Sequence, residues 1–201
     1  LQAARPGECY VFDVRGTHGG VFDHGLRSLL QDPNVVKLTF DCRQVADALW
    51  HLHHVKLAGA RDLQLLEVMS RKEDEEAQQR RLGEFLHPED VHASPESYKH
   101  VHKLASLSEC LQEFKLAGEA MTVMKHHAVE TPRYWLQRPL PKDAMSHAEQ
   151  DVLRLHDLAE QIIQQRGLPS DVLTEDAKLQ KASERYAWFL RELGDKESAN
   201  E

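Results

Sequence analysis

Two kinds of hydrophobic spacing meet near position 41 of the chain. Residues 35–40 form a β-branched apolar run behind an Asp-Pro-Asn turn signal, and this pattern predicts an interior strand of a sheet. From Arg43 onward, apolar residues recur every three or four positions, which predicts an amphipathic helix. Asp41 stands between the two, where its carboxylate would cap the helix. A strand joined so closely to a helix is typical of an α/β layer, in which ligands bind at the carboxyl edge of the strands.

The same spacing rules predict strands and helices along the rest of the chain. Leu63 is expected to begin a helix that continues through the charged run at 71–81, and residues 82–103 resemble loops rich in Gly, Pro and His. We therefore expect an α/β domain over residues 1–165 with a charged, loop-rich insertion at about 71–103. A helical extension and tail would follow over 166–201. Its last helix is predicted from near Val172 to Leu193.

Composition limits the possible functions. The 201 residues carry a formal net charge of −8, which argues against non-specific coating of nucleic acid, because phosphate neutralisation needs clustered Lys and Arg. No apolar run approaches the ~20 residues of a membrane span, so no membrane partner is expected. The three cysteines are scattered without metal-ligand spacing, which favours reduced thiols in an intracellular protein and leaves the compartment open.

Several residue groups could carry chemistry, and each has a simpler interpretation. The 13 histidines include neighbouring pairs, but no Cys pair accompanies them, and we expect no metal site there. Cys42 has no evident base beside it and is predicted to be a buried structural thiol. Residues 99–142 interleave basic and aromatic side chains, as in grooves that follow a single nucleic-acid strand. The candidate contacts there are Lys125, Arg133, Trp135 and Arg138; the alternative is that the aromatics anchor a loop in the core.

Two longer motifs resemble a known family. KLTFDCRQVADALWHLHHVKL, at 37–57, is similar to the second motif of ribonuclease-D-like (DEDD) 3′–5′ exonuclease domains, and RPLPKDAMSHAEQDVLRLHDL, at 138–158, is similar to their third. Between them, GARDLQ at 59–64 resembles the family's Phe-Asp-Thr-Gln segment. The likeness is closest to the subgroup that contains Egalitarian and the exonuclease-domain protein of piRNA biogenesis, in which loss of the active site is known. It implies a ribonuclease-H-like α/β fold, with a sheet flanked by helices and extra helices at the C-terminus.

The resemblance also implies which residues to test for catalysis. In the family, four acidic residues hold two divalent ions about 4 Å apart, and these ions activate water. The first motif, Asp-x-Glu, belongs on a strand before Leu1 and is not in this chain. The second-motif aspartate position holds Val45; the third motif keeps Asp151, with His147 at the tyrosine position. The resemblance therefore implies relic positions at Val45, His147 and Asp151, which should face one another across a cleft, and no functional metal site.

Three functions follow from these expectations. The first is a catalytically degenerate domain, not an enzyme, that serves as an RNA-associated or scaffolding subunit of a larger assembly and uses no cofactor. The second is an active 3′–5′ exonuclease whose first motif lies outside this chain and which uses Mg or Mn. The third is a purely protein-binding adaptor. The expected partners are other protein subunits and RNA.

Overall fold

The computed structural model describes residues 1–72, 75–84, 86–93, 95–98, 101–116 and 132–198. The strands in these ranges are β1 (Gln2–Arg5), β2 (Glu8–Val11), β3 (Lys37–Thr39) and β4 (Ala60–Asp62). The helices before the 117–131 gap are α1 (Leu26–Gln31), α2 (Arg43–His53), α3 (Leu63–Ser70), α4 (Glu75–Gly83), α5 (Pro88–Ala93), α6 (Pro95–Tyr98) and α7 (Leu107–Glu113). Those after it are α8 (Pro132–Trp135), α9 (Lys142–Arg166), α10 (Val172–Glu175) and α11 (Ala177–Ser198).

The strands form two separate pairs. β1 and β2 are an antiparallel hairpin, and Leu1 and Phe12 extend it by exchanging both backbone hydrogen bonds at 3.1 and 2.8 Å. β3 and β4 are parallel, with Lys37 opposite Ala60 and Thr39 opposite Asp62. In the described ranges β3 therefore pairs on one side only. The prediction of an interior strand over 35–40 is wrong for this part of the chain, because the second edge of β3 meets a groove rather than a strand.

Two long helices position the strands. α9 packs on both strands of the hairpin, on β3 and on α3, so it connects the two sheets. α11 packs on α2, α3 and β4. One apolar cluster fills the space around α3, α7 and α9, and a second lies beneath α1 and α2. The α/β prediction with additional C-terminal helices is confirmed.

Three predictions about the elements are wrong. α3 ends at Ser70 instead of running into the charged segment, because Arg71 adopts an extended backbone and forks onto the buried carboxylate of Glu67 at 2.7 and 2.6 Å. The predicted loop-rich part of the insertion contains the short helices α5 and α6, whose first residues are prolines. The predicted helix from Val172 is also two helices, because Asp176 is extended and its carboxylate accepts hydrogen bonds from the first turn of α11.

No helix in the described ranges combines the length and apolar character needed to cross a bilayer.

Candidate functional site

A groove of about 740 Å³ separates the two sheets. Residues 1–6 of the hairpin form one side, and residues 35–40 form the other. Val45 and Leu49 of α2 contribute to its lining, as does the segment of α9 from Asp151 to His156. The lining is mostly apolar, and the polar groups within it are therefore the candidates for function.

Val45 and Asp151 line this same groove, as the motif comparison predicted. His147 lies one helical turn before Asp151, with its Nε2 atom 3.8 Å from Asp151 Oδ2. Burial raises the pKa of the Asp151 carboxyl, and the nearby His147 opposes that rise. The positions that the resemblance implies are therefore brought together at one place in the fold.

The groove provides few ligands for a metal ion. Asp151 is the only carboxylate among the described residues that line it. Hard divalent ions such as Mg²⁺ and Mn²⁺ prefer several oxygen ligands, and one carboxylate with a valine opposite does not fit a pair of them. Asp47, two residues after Val45, pairs instead with His51 at 3.4 Å. His156, Asp157 and Glu160 form a close group of metal-type ligands, but all three are exposed on α9, and none stands at a position that the resemblance assigns to catalysis.

The carboxylate that organises the strand-to-helix joint is Asp62, not Asp41. Fully buried, Asp62 accepts hydrogen bonds from the backbone N–H groups of Cys42 at 2.8 Å, Gln64 at 3.0 Å and Asp41 at 3.3 Å. It also accepts from the Thr39 hydroxyl at 3.1 Å. Asp62 thus fixes the end of β3 and the starts of α2 and α3 at once.

The prediction that Asp41 caps α2 is wrong. Its carboxylate makes no cap hydrogen bond and instead forms a two-pronged pair with the Arg43 guanidinium at 2.6 and 2.8 Å. The position just before the helix is held by Cys42, which is fully buried as predicted, and burial raises the pKa of its thiol. The sequence signals for Asp62 are its place in the GARDLQ motif and its position directly before the helix predicted from Leu63, and neither indicates its contact with α2.

The candidate nucleic-acid residues lie in different surroundings. Lys125 is outside the described residues. Arg133 is exposed on α8, and Trp135, half-buried, lies with its ring 6.1 Å from that of His147. Arg138 forks onto Asp13 at 2.6 and 2.7 Å, and these hydrogen bonds, with one from the Gly16 N–H, lower the pKa of Asp13 to about 2. Trp135 is thus near the pair formed by His147 and Asp151, whereas Arg138 fastens the segment before α9 to the loop after β2. A role for these residues in RNA binding stays a prediction.

Comparisons with known proteins agree with the resemblance that the two motifs show to exonuclease domains. A family model described as 3′–5′ exonuclease matches residues 1–165. The chain is similar to the piRNA biogenesis protein EXD1 of Bombyx mori, with 24% identity over 162 residues, which cover 81% of this chain and 43% of that protein. It is also similar to the proteins of that name from Mus musculus, at 26% identity over 70% of this chain and 22% of the relative, and from Xenopus laevis, at 26% over 70% and 28%. The chain thus spans less than half the length of these curated relatives.

Proposed function

This chain belongs to the 3′–5′ exonuclease family, and from that premise we propose that it is a catalytically degenerate member. It would serve as a non-catalytic, RNA-associated or scaffolding subunit of a larger intracellular assembly. Membership of the family, with its ribonuclease-H-like fold, confirms the resemblance seen in the two motifs. The loss of catalysis and the role in an assembly are the proposed part.

One observation carries the proposal of lost catalysis. Val45 and Asp151 line one groove, and Asp151 supplies its only carboxylate among the described residues. A valine in place of an aspartate puts two methyl groups where a negatively charged ligand would face the ions. The remaining acid has a pKa raised by burial, so its environment disfavours the ionised form that binds cations. Loss of a ligand from a two-metal site is expected to cost several kcal/mol of transition-state stabilisation, or about three powers of ten in rate.

The association with RNA is supported by the names of the relatives and by two residues of α8. The relatives are named for piRNA biogenesis. In this chain, exposed Arg133 and half-buried Trp135 lie on one short helix, and Trp135 is close to the relic pair. A cation beside an aromatic ring is the combination that follows a single strand by phosphate contact and base stacking. Three free cysteines support a reducing, intracellular environment.

A nuclease assay tests the first half of the proposal. We expect no shortening of 5′-labelled single-stranded RNA or DNA in Mg²⁺ or Mn²⁺, by the chain or by its Val45→Asp variant. Titration calorimetry with Mn²⁺ should find no binding tighter than millimolar. Processive 3′ trimming that disappears in Asp151→Ala would refute the proposal and favour an active exonuclease.

An RNA-binding assay tests the second half. The affinity for single-stranded RNA should fall with salt and in Lys125→Ala and Arg133→Ala, because each substitution removes a phosphate contact. Lys178→Ala is the matched control, since Lys178 is an exposed cation on α11, distant in sequence from the predicted site. Equal effects in all three variants would contradict a specific RNA surface and leave the protein-scaffold role.

A further inference from the structure

Three side chains of metal-binding type cluster on the exposed side of α9. His156, Asp157 and Glu160 each place one ligand atom so that these atoms all lie within 4.8 Å of one another. His156 Nδ1 is 3.5 Å from Glu160 Oε1, because residues four apart on a helix lie one turn apart on the same face. In the ranges that the structure describes, no other three His, Cys, Asp or Glu side chains come together in this way.

The cluster lacks a cationic side chain that would neutralise its two carboxylates. Residues 155–165 contain no Lys or Arg. Arg154, the nearest cation along the helix, donates instead to the carbonyl of Leu116 at 2.5 Å. Within the described part of the chain, Asp157 and Glu160 form no ion pair with a Lys or Arg. Two neighbouring carboxylates repel each other, and a bound cation would remove that repulsion.

The cluster is separate from the positions that the resemblance assigns to catalysis. Asp151 pairs with His147, one turn earlier on α9. His156 borders the groove, but Asp157 and Glu160 do not line it and are exposed on the helix. A strand that filled the groove would therefore leave both of these carboxylates accessible to an ion from solvent.

The ligand types determine which ion fits. An imidazole with two carboxylates suits Zn²⁺ better than Mg²⁺ or Ca²⁺, which prefer oxygen ligands throughout. In tetrahedral coordination with bonds of ~2.1 Å, neighbouring ligand atoms lie ~3.4 Å apart. The distance between His156 Nδ1 and Glu160 Oε1 already agrees with this value. The remaining ligand distances, at most 4.8 Å, need to shorten by no more than about 1.4 Å, which rotation of exposed side chains can supply.

We propose that His156, Asp157 and Glu160 form a surface binding site for Zn²⁺, with a water molecule as the fourth ligand. Three protein ligands leave one coordination position open, and the exposure of the cluster gives water access to it. The inference goes beyond the proposed function, because this ion would lie outside the pair of positions formed by Val45 and Asp151. It would not restore the two-metal arrangement of an active exonuclease.

Titration calorimetry with Zn²⁺, at pH 7 and with a reductant that contains no thiol, tests the proposal. We expect Zn²⁺ to bind at least about a hundredfold more tightly than Mn²⁺, in the order that nitrogen and oxygen ligands impose on these ions. His156→Ala and Glu160→Gln should each weaken Zn²⁺ binding at least about tenfold, because each removes one of three ligands. Co²⁺ bound in place of Zn²⁺ should show no sulfur-to-metal charge-transfer band; such a band would put the ion on a cysteine and overturn the proposal.

His51 and Asp47 of α2 supply the matched control. They are also four residues apart, with His51 Nε2 3.4 Å from Asp47 Oδ1, but no third such side chain joins them among the described residues. His51→Ala and Asp47→Asn should therefore change Zn²⁺ affinity less than twofold. Equal losses in both sets of variants, or Zn²⁺ binding that survives Glu160→Gln, would show an adventitious ion only and overturn the proposal.

This proposal and the proposed loss of catalysis can fail separately. Zn²⁺ binding that Glu160→Gln abolishes and Asp151→Asn leaves unchanged would support the site on α9. Mn²⁺ binding that Asp151→Asn abolishes would refute the loss of the catalytic metal site, and it would leave the assignment of Zn²⁺ to be decided by His156→Ala and Glu160→Gln.

Discussion

Removing the Asp62 carboxylate should be among the most damaging single substitutions outside the hydrophobic core. The side chain is fully buried and accepts four hydrogen bonds, three of them from backbone N–H groups. In Asp62→Ala those donors lose their acceptor inside the protein, where water reaches them poorly. The joint between β3 and α2 would lose its fixed geometry together with the start of α3.

The size of the effect follows from these contacts. A buried donor left without a partner costs about 1–3 kcal/mol. Of the four donors, the N–H groups of Cys42 and Gln64 are buried, and the other two are partly buried. Allowing for some relaxation, we expect Asp62→Ala to lower the free energy of unfolding by roughly 3–5 kcal/mol. That is a large part of the 5–15 kcal/mol typical of a folded domain. For a chain of this length the corresponding fall in Tm is roughly 6–20 °C.

Urea unfolding followed by circular dichroism measures the difference, with Asp41→Asn as the matched control. Asp41 has a positive φ of 50°, which Asn tolerates, and its ion pair with Arg43 is half-exposed. The control should therefore change stability by less than ~1 kcal/mol. If Asp41→Asn is the more destabilising of the two, the capping role belongs to Asp41 after all and the assignment to Asp62 is refuted.

Two further predictions concern pH. Hydrogen bonds from Arg138 lower the folded-state pKa of Asp13 to about 2, so the stability this pair contributes is present above pH 4 and is lost as the pH falls through 2. Asp13→Asn should flatten this acid limb in unfolding curves measured between pH 4 and 2; an unchanged limb would contradict the pairing. Burial raises the folded-state pKa of Asp151, so its ionisation disfavours the folded state as the pH rises above the ordinary range of a carboxyl. Asp151→Asn should accordingly leave the protein at least as stable at pH 7, within ~1 kcal/mol because the side chain is 48% exposed, and a clear loss of stability would show that the carboxylate has an essential partner.

The joint between β3 and α2 could be predicted from the sequence because the hydrophobic spacing changes near residue 41. Such spacing depends only on residues that are neighbours in the chain. The same reasoning brought Val45 and Asp151 to one site through the order of the two motifs. It missed the role of Asp62, because that carboxylate caps a helix that begins some twenty positions earlier and no local pattern records the contact. It also extended α3 too far, because the local composition of the charged segment favours helix. In the structure, the Arg71 guanidinium makes two hydrogen bonds with the Glu67 carboxylate, and the backbone of Arg71 is extended.

The contacts of α11 connect the part of the chain that the family model matches with residues beyond that match. The family match ends at residue 165, yet Ser183 accepts from the backbone of Asp62, and the Tyr186 hydroxyl donates to Gln64 at 2.7 Å. The segment that the family model matches therefore makes hydrogen bonds with a helix that lies beyond the match. A chain that lost the final helix would keep both motifs quoted above but would expose the edge of β4 that Ser183 of α11 now covers, and an uncovered strand edge is expected to favour aggregation.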